Sequence, residues 1–128
     1  MMLNADSTKP IYIQIAEWLE TEILHERFKA HEKMFSQYQL ADQFNINPAT
    51  AAKGLTILAD AGILYKKRGL GMFVTEEAAE QIRHRRINET LAALVSDVVA
   101  EAEHLNVKET DLIHMIQLEQ SRRKGETS

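Results

Sequence analysis

Apolar residues recur three or four apart at the start of the chain. Ile11, Ile15, Trp18, Leu19 and Ile23 form one stripe, which predicts a helix running to about His25. Ser7 or Thr8 can cap it, and Pro10 fits its first turn, where a missing N–H costs nothing. Met1–Asp6 reads as frayed, Arg27–Lys33 as a polar connection, and Met34-Phe35 as a short extended segment entering the next helix. Ser36 with Gln39 three residues on is a capping box opening that second helix, Gln37–Phe44, whose inward face is Leu40, Ala41 and Phe44. Asn45-Ile46-Asn47 makes a turn plugged by Ile46. Asn47-Pro48 is a cap followed by a first-turn proline, so a third helix begins there and runs to about Ala61 with Leu55 and Leu58 inward. Gly62 ends it as an αL residue commonly does.

Periodicity then changes. Ile63–Lys66 and Met72–Val74 are strand-like and flank Lys67-Arg68-Gly69-Leu70-Gly71, a hairpin tip with two glycines that permit a sharp reversal. Beyond Thr75 the helical spacing returns. Ile82, Leu91, Leu94, Val95, Val98, Ala102 and Leu105 mark a long amphipathic helix that Asn106 ends. Thr110 is placed to cap a last helix with Leu112, Ile113, Ile116 and Leu118 on its apolar side, and Ser121–Ser128 reads as a solvated tail. The expected organisation is a unit of three helices and the hairpin at 8–75, a helical region at 76–121 and a flexible tail at 122–128. The fold class is mainly α with a small β-hairpin (α+β).

Helix, turn, helix, then hairpin is the order of a winged helix-turn-helix, which offers one helix to the major groove and a hairpin to the flanking backbone. The third helix would place Asn47, Thr50 and Lys53 near DNA, and its N-terminus offers free N–H groups to a phosphate. Lys53 suits a guanine acceptor or a phosphate, whereas Ala49 and Ala51 suit thymine methyls or close approach. Lys66, Lys67 and Arg68 are expected at the backbone, with Gly69 and Gly71 letting the tip enter the minor groove. Ser36, Gln37 and Tyr38 at the start of the second helix, and Pro48 at the start of the third, complete the candidate DNA face. Against this, Ser36 and Asn47 are needed as caps with or without a ligand, and lysines at a hairpin tip are most often simply solvated.

Composition narrows the alternatives. The chain has 128 residues, 45% hydrophobic and 27% charged, with no cysteine, which excludes disulfides and thiolate metal sites. No apolar run approaches the ~18 residues of a membrane span, and a cytoplasmic location is expected. The net charge is −4, yet residues 1–75 hold eight Lys/Arg and eight Asp/Glu, so the deficit lies wholly in residues 76–128, with seven against eleven. The acidic remainder therefore does not oppose local phosphate contact. His84, His104 and His114 lie near Glu101, Glu103 and Asp111, but no pair has the i, i+4 spacing of a helical zinc site, so no metal or other cofactor is expected. No phosphate loop or nucleophile motif points to an enzyme.

Pro10-Ile11-Tyr12, Ser36 with Leu40-Ala41, Ile46-Asn47-Pro48 with Thr50, Leu58, Gly62-Ile63-Leu64-Tyr65, and Arg68-Gly69 through Gly71 with Phe73-Val74 resemble GntR-family regulators. The Asn-Pro turn and short C-terminal region resemble the YtrA-type subfamily. This resemblance implies an N-terminal winged helix-turn-helix and a compact two-helix C-terminal region serving dimerisation. It also implies a homodimeric transcriptional regulator, a repressor on a palindromic operator, that responds to an effector of unknown identity. The chain departs from the family pattern at Ala30-His31, where Pro-Gly is usual, and at Phe35, where proline is usual. At Tyr38 many members carry an arginine that reaches DNA. Ala49 stands for a common asparagine, and Ala51-Ala52 for more polar residues. On the dimer reading, Ile82, Leu91, Leu94, Val95, Val98, Ala102, Leu105, Leu112, Ile113 and Ile116 form the interface, with Arg83, Arg85 and Arg86 at its flank touching the DNA backbone. The competing reading is a winged-helix protein–protein adaptor, favoured by the alanine-rich third helix and the acidic balance.

Overall fold

The computed structural model describes residues 3–127; Met1 and Met2 of the segment read as frayed, and Ser128 of the segment read as a tail, lie outside the described residues. The chain divides after Arg85 into two compact units.

The first unit contains α1 (Ile11–Leu24), α2 (Gln37–Phe44), α3 (Pro48–Asp60), β1 (Leu64–Lys67), β2 (Gly71–Val74) and α4 (Ala78–Arg85). Pro10 is the N-cap of α1, and its carbonyl accepts the N–H groups of Ile13 and Gln14. Ser7 does not cap: its Oγ accepts the Lys9 N–H at 3.1 Å. Asn4 is tied down as well, because the buried Gln14 amide accepts from its N–H and donates to its carbonyl, both at 2.8 Å. Leu3 packs against the core.

The capping box of α2 is complete, with the Gln39 N–H donating to Ser36 Oγ at 3.1 Å and the Ser36 N–H donating to Gln39 Oε1 at 2.8 Å. Asn45 closes α2 at φ +54°, in the left-handed region that asparagine tolerates. Two residues later Asn47 Oδ1 accepts the Ala49 N–H at 2.8 Å and opens α3. Trp18 of α1 lies edge-on to Phe44 at 4.9 Å and stacks near Phe35 at 6.3 Å, which clamps the helix-turn-helix onto α1.

The hairpin is an antiparallel pair in the register Leu64↔Val74, Tyr65↔Phe73, Lys66↔Met72 and Lys67↔Gly71. The segment after α1 is more ordered than a polar connection: Met34 N–H donates to the Met72 carbonyl at 2.8 Å and His31 N–H to that of Val74 at 2.7 Å, so it runs along the free edge of β2. The core joins Ile15, Leu19 and Ile23 of α1, Leu40 of α2, Leu55 and Leu58 of α3, Ile63, Val74 and Ile82.

The placement of Ile82 corrects an expectation. It belongs to α4, which packs on α1, and it is 0% exposed inside the first unit, so it is unavailable to a dimer face. Arg85 is likewise engaged within that unit, paired with the buried Glu20 of α1, and Arg83 lies 4.0 Å from Glu80. Helical periodicity continues through this region without saying which neighbour covers each turn.

In the second unit a π-helical segment, Arg86–Leu91, leads into α5 (Ala92–His104), followed by α6 (Glu109–Thr127). Asn106 at φ +57° ends α5 as expected, and Val107 N–H donates to the Ala102 carbonyl at 2.9 Å. Thr110 falls inside the first turn of α6, whose Leu112 N–H bonds to Lys108. The stretch from residue 121 is helical through Thr127, where the composition predicts a tail. Glu119 with Arg122 and Arg123, and Arg122 with Glu126, are ion pairs at helical spacing that carry α6 past Gly125. The Arg122 guanidinium, then that of Arg123, holds the exposed Glu119 carboxyl below the usual carboxylate range.

Candidate nucleic-acid interface

The inward side of α3 is Ala51, Gly54, Leu55 and Leu58. The opposite side of the helix therefore leaves Ala49, Lys53, Thr56 and Asp60 exposed along its length, with Thr50 and Ala52 half-buried at the margins. Ala51, expected near DNA, is 0% exposed in the core and cannot touch a ligand. Pro48 is half-buried in the first turn, where its ring sets the helix direction.

The start of α2, the wing side of α3 and the hairpin enclose a groove of about 330 Å³. Ser36, Gln37 and Tyr38 line one wall, Ala52 and Thr56 the floor, and Lys33, Lys66 and Gly71 the opposite side. Tyr38 is 69% exposed. The Ser36 hydroxyl and the Asn47 carboxamide oxygen are occupied as caps. What remains for a ligand is the Ser36 O–H and its second lone pair, and the Asn47 amide hydrogens with the second lone pair of its oxygen.

Two residues of this surface escape a reading of the sequence alone. Lys33 stands here because its segment pairs with β2, a contact made 40 residues away in sequence (Lys33↔Phe73). Its stem passes over Gly71, where an added Cβ would lie 3.1 Å from Lys33 Cε. Thr56 has a legible signal, one turn beyond Lys53 on the same stripe.

The cations differ in freedom. Lys53 Nζ sits 4.8 Å from the centre of the Tyr12 ring on the α1 flank of α3, a contact worth about 0.5–1 kcal/mol at an exposed site. Lys67 folds back over Phe73 at 4.5 Å. Lys66 and Arg68 project from the hairpin, which turns through Gly69 at φ +77° and Gly71 at φ +115°. Among the described residues no carboxylate pairs with Lys33, Lys53, Lys66, Lys67 or Arg68, so their field is not neutralised locally. His31 braces the hairpin base, with Nδ1 2.9 Å from Tyr65 Oη and Nε2 2.6 Å from Glu76 Oε2.

In the second unit, Leu91, Leu94, Val95, Val98, Leu105, Ile113 and Ile116 are all exposed, joined by Val99, Met115 and Leu118. Ala102 is instead buried and Leu112 half-buried, where α5 and α6 meet around a small apolar cavity. Among the described residues no three His, Asp or Glu side chains are grouped to hold a metal. None of their helices is long and apolar enough to cross a membrane.

Comparison with known proteins bears on this surface. The family model for bacterial regulatory proteins of the gntR family matches residues 11–74. The chain is 36% identical over 81 residues to the HTH-type transcriptional repressor NagR of Bacillus subtilis (strain 168), covering 63% of this chain and 33% of NagR. It thus spans a third of that relative's length. A GntR family transcriptional regulator from Listeria monocytogenes superposes with a TM-score of 0.73 at 29% identity, over 88% of this chain and 96% of that one. YtrA from Sulfolobus acidocaldarius, a GntR-family transcription factor, gives 0.56 at 27% identity over 70% and 95%. The AraR DNA-binding domain, solved in complex with operator ORX1, gives 0.53 at 26% identity over 59% and 93%. The fold class expected from the sequence is the one observed, and the chain belongs to the GntR family of bacterial regulatory proteins, DNA-binding transcriptional regulators.

Proposed function

We propose that this chain is a homodimeric repressor of the compact YtrA type, which occupies a palindromic operator in the cytoplasm and is released by an effector. The observation that carries this reading is the groove of the first unit. Ala52 and Thr56 of α3, the start of α2 and the uncompensated cations Lys33 and Lys66 line it together, and the exposed Arg68 follows at the hairpin tip. A recognition helix needs that arrangement to enter the major groove while a wing holds the backbone. Ser36, Gln37, Tyr38, Asn47, Pro48, Ala49, Thr50 and Lys53 form the helix side of the contact, and Lys66, Lys67, Arg68, Gly69 and Gly71 the wing side.

The second unit serves dimerisation. Its exposed leucines and valines are the apolar residues that a two-fold copy would cover. A dimer places two α3 helices over half-sites about one helical turn of ~10 bp apart, or a multiple of it. The effector acts by shifting the relative placement of the two DNA-binding units, and the protein works by binding and not as an enzyme.

Selection of bound sequences from a random duplex pool tests this, at about 0.1 M salt where non-specific binding is already weakened. Enrichment of a two-fold symmetric sequence is the expected result. No enrichment by folded, dimeric protein, with and without cell extract supplying effectors, would contradict it.

A further inference from the structure

The side chains left exposed on α3 are unusual for a base-reading helix in what they lack. The helix, PATAAKGLTILAD, contains no arginine, asparagine or glutamine, the groups that read guanine or adenine through paired hydrogen bonds. Its single cation, Lys53, lies over Tyr12 on the flank away from the groove, a position that suits a backbone phosphate. Asn47, just before the helix, has its carboxamide oriented by the Ala49 N–H it accepts, which sets it as a cap.

Beside Gln37 of α2 and the lysines of the groove, the surface presents methyl groups and an aromatic ring. Ala49 is exposed in the first turn, and Ala52 and Thr56 follow it towards the groove. Facing them from α2 is Tyr38, the most exposed large apolar side chain among the described residues at 69%. Alanine, the threonine methyl and aromatic carbons are the partners that the thymine C5-methyl takes in the major groove.

We propose that this chain specifies its operator through thymine methyl groups, read by Ala49, Ala52, Thr56 and Tyr38, with Lys53 and the wing cations supplying backbone affinity and no base discrimination. The inference rests on the operator-binding reading above and names the feature of the DNA that such binding recognises.

The test uses the full-length protein and the duplex it selects. Each thymine of a half-site is replaced in turn by deoxyuridine, which removes only the methyl, and each guanine by 7-deazaguanine, which removes only N7. Deoxyuridine at two or more positions should weaken binding about fourfold each, the value of one buried methyl-sized group. Deazaguanine should change nothing. Ala52→Gly and Tyr38→Ala, checked for folding by circular dichroism, should each abolish the deoxyuridine effect at one position while leaving it at the others. Deoxyuridine without effect, or a loss on deazaguanine, traced to Lys53 if Lys53→Ala no longer distinguishes the two duplexes, would overturn the proposal and leave the regulator reading standing. Failure to select any duplex would overturn both.

Discussion

Gly54 stands where α1 and α3 touch, and it illustrates how single positions decide this structure. An added Cβ would lie 3.0 Å from both the Tyr12 carbonyl oxygen and Ile15 Cγ2. Gly54→Ala gains about 1 kcal/mol of helix propensity but overpacks a contact at a cost of about 1–3 kcal/mol. We expect a net loss of up to about 2 kcal/mol in urea denaturation; a gain would mean that α1 and α3 separate freely. Residue-level reading of the sequence succeeds wherever the determinant is local. Ser36 with Gln39, and Asn47 with Pro48, fix the starts of α2 and α3 through side chains within three residues. It fails where phase or partner decides. Ala49 and Ala51 look alike in sequence, yet two residues on a helix are 200° apart, and Ala51 is in the core. Lys33 owes its place in the groove to pairing with β2, which nothing near it in sequence signals.

At the scale of elements, the wing and α6 make separable predictions. Lys66 and Arg68 leave the hairpin free of carboxylate partners, so each should neutralise one phosphate. Replacing either by alanine should weaken binding to all duplexes alike and reduce the slope of log affinity against log salt by about 0.9. An unchanged slope would remove the wing from the contact. In α6, the Glu119 carboxyl is held below its usual range by Arg122 and Arg123. Because that value is lowered on folding, the helix is favoured above the ordinary carboxylate range, and the benefit is lost as pH falls through the lowered value. Amide protection factors at residues 119–126, the exchange rates taken relative to the intrinsic rate at each pH, should therefore fall on acidification, and Glu119→Gln should flatten the response. Protection that does not change with pH in the unaltered protein would contradict it. The same network explains why this stretch reads as a tail: Gly125 and a polar composition signal disorder, while the spaced charges that hold the helix are legible only once a helix is assumed.

For the whole molecule, the division after Arg85 separates the two jobs we assign. Sequence periodicity runs through that boundary, so Ile82 looks like a continuation of the Leu91–Leu105 stripe although it is sealed inside the first unit. Apart from the buried Ala102 the rest of the stripe stays exposed, and on the dimer reading Val95→Asp, a charge placed at a 53% exposed valine, should halve the mass in sedimentation velocity without unfolding the first unit. A mass unaffected by this change would move the interface elsewhere. The central claim is that α3 enters DNA, and Ala49→Glu addresses it with least disturbance. Ala49 is exposed in the first turn, where a carboxylate favours the helix N-terminus, so folding should be unharmed. Measured by fluorescence anisotropy on the selected duplex, the variant should lose at least ~100-fold in affinity, because two or more good contacts are replaced by repulsion from phosphate. Its thermal midpoint should match that of the unaltered chain. Undiminished affinity in that folded variant would show that DNA is held by some other surface.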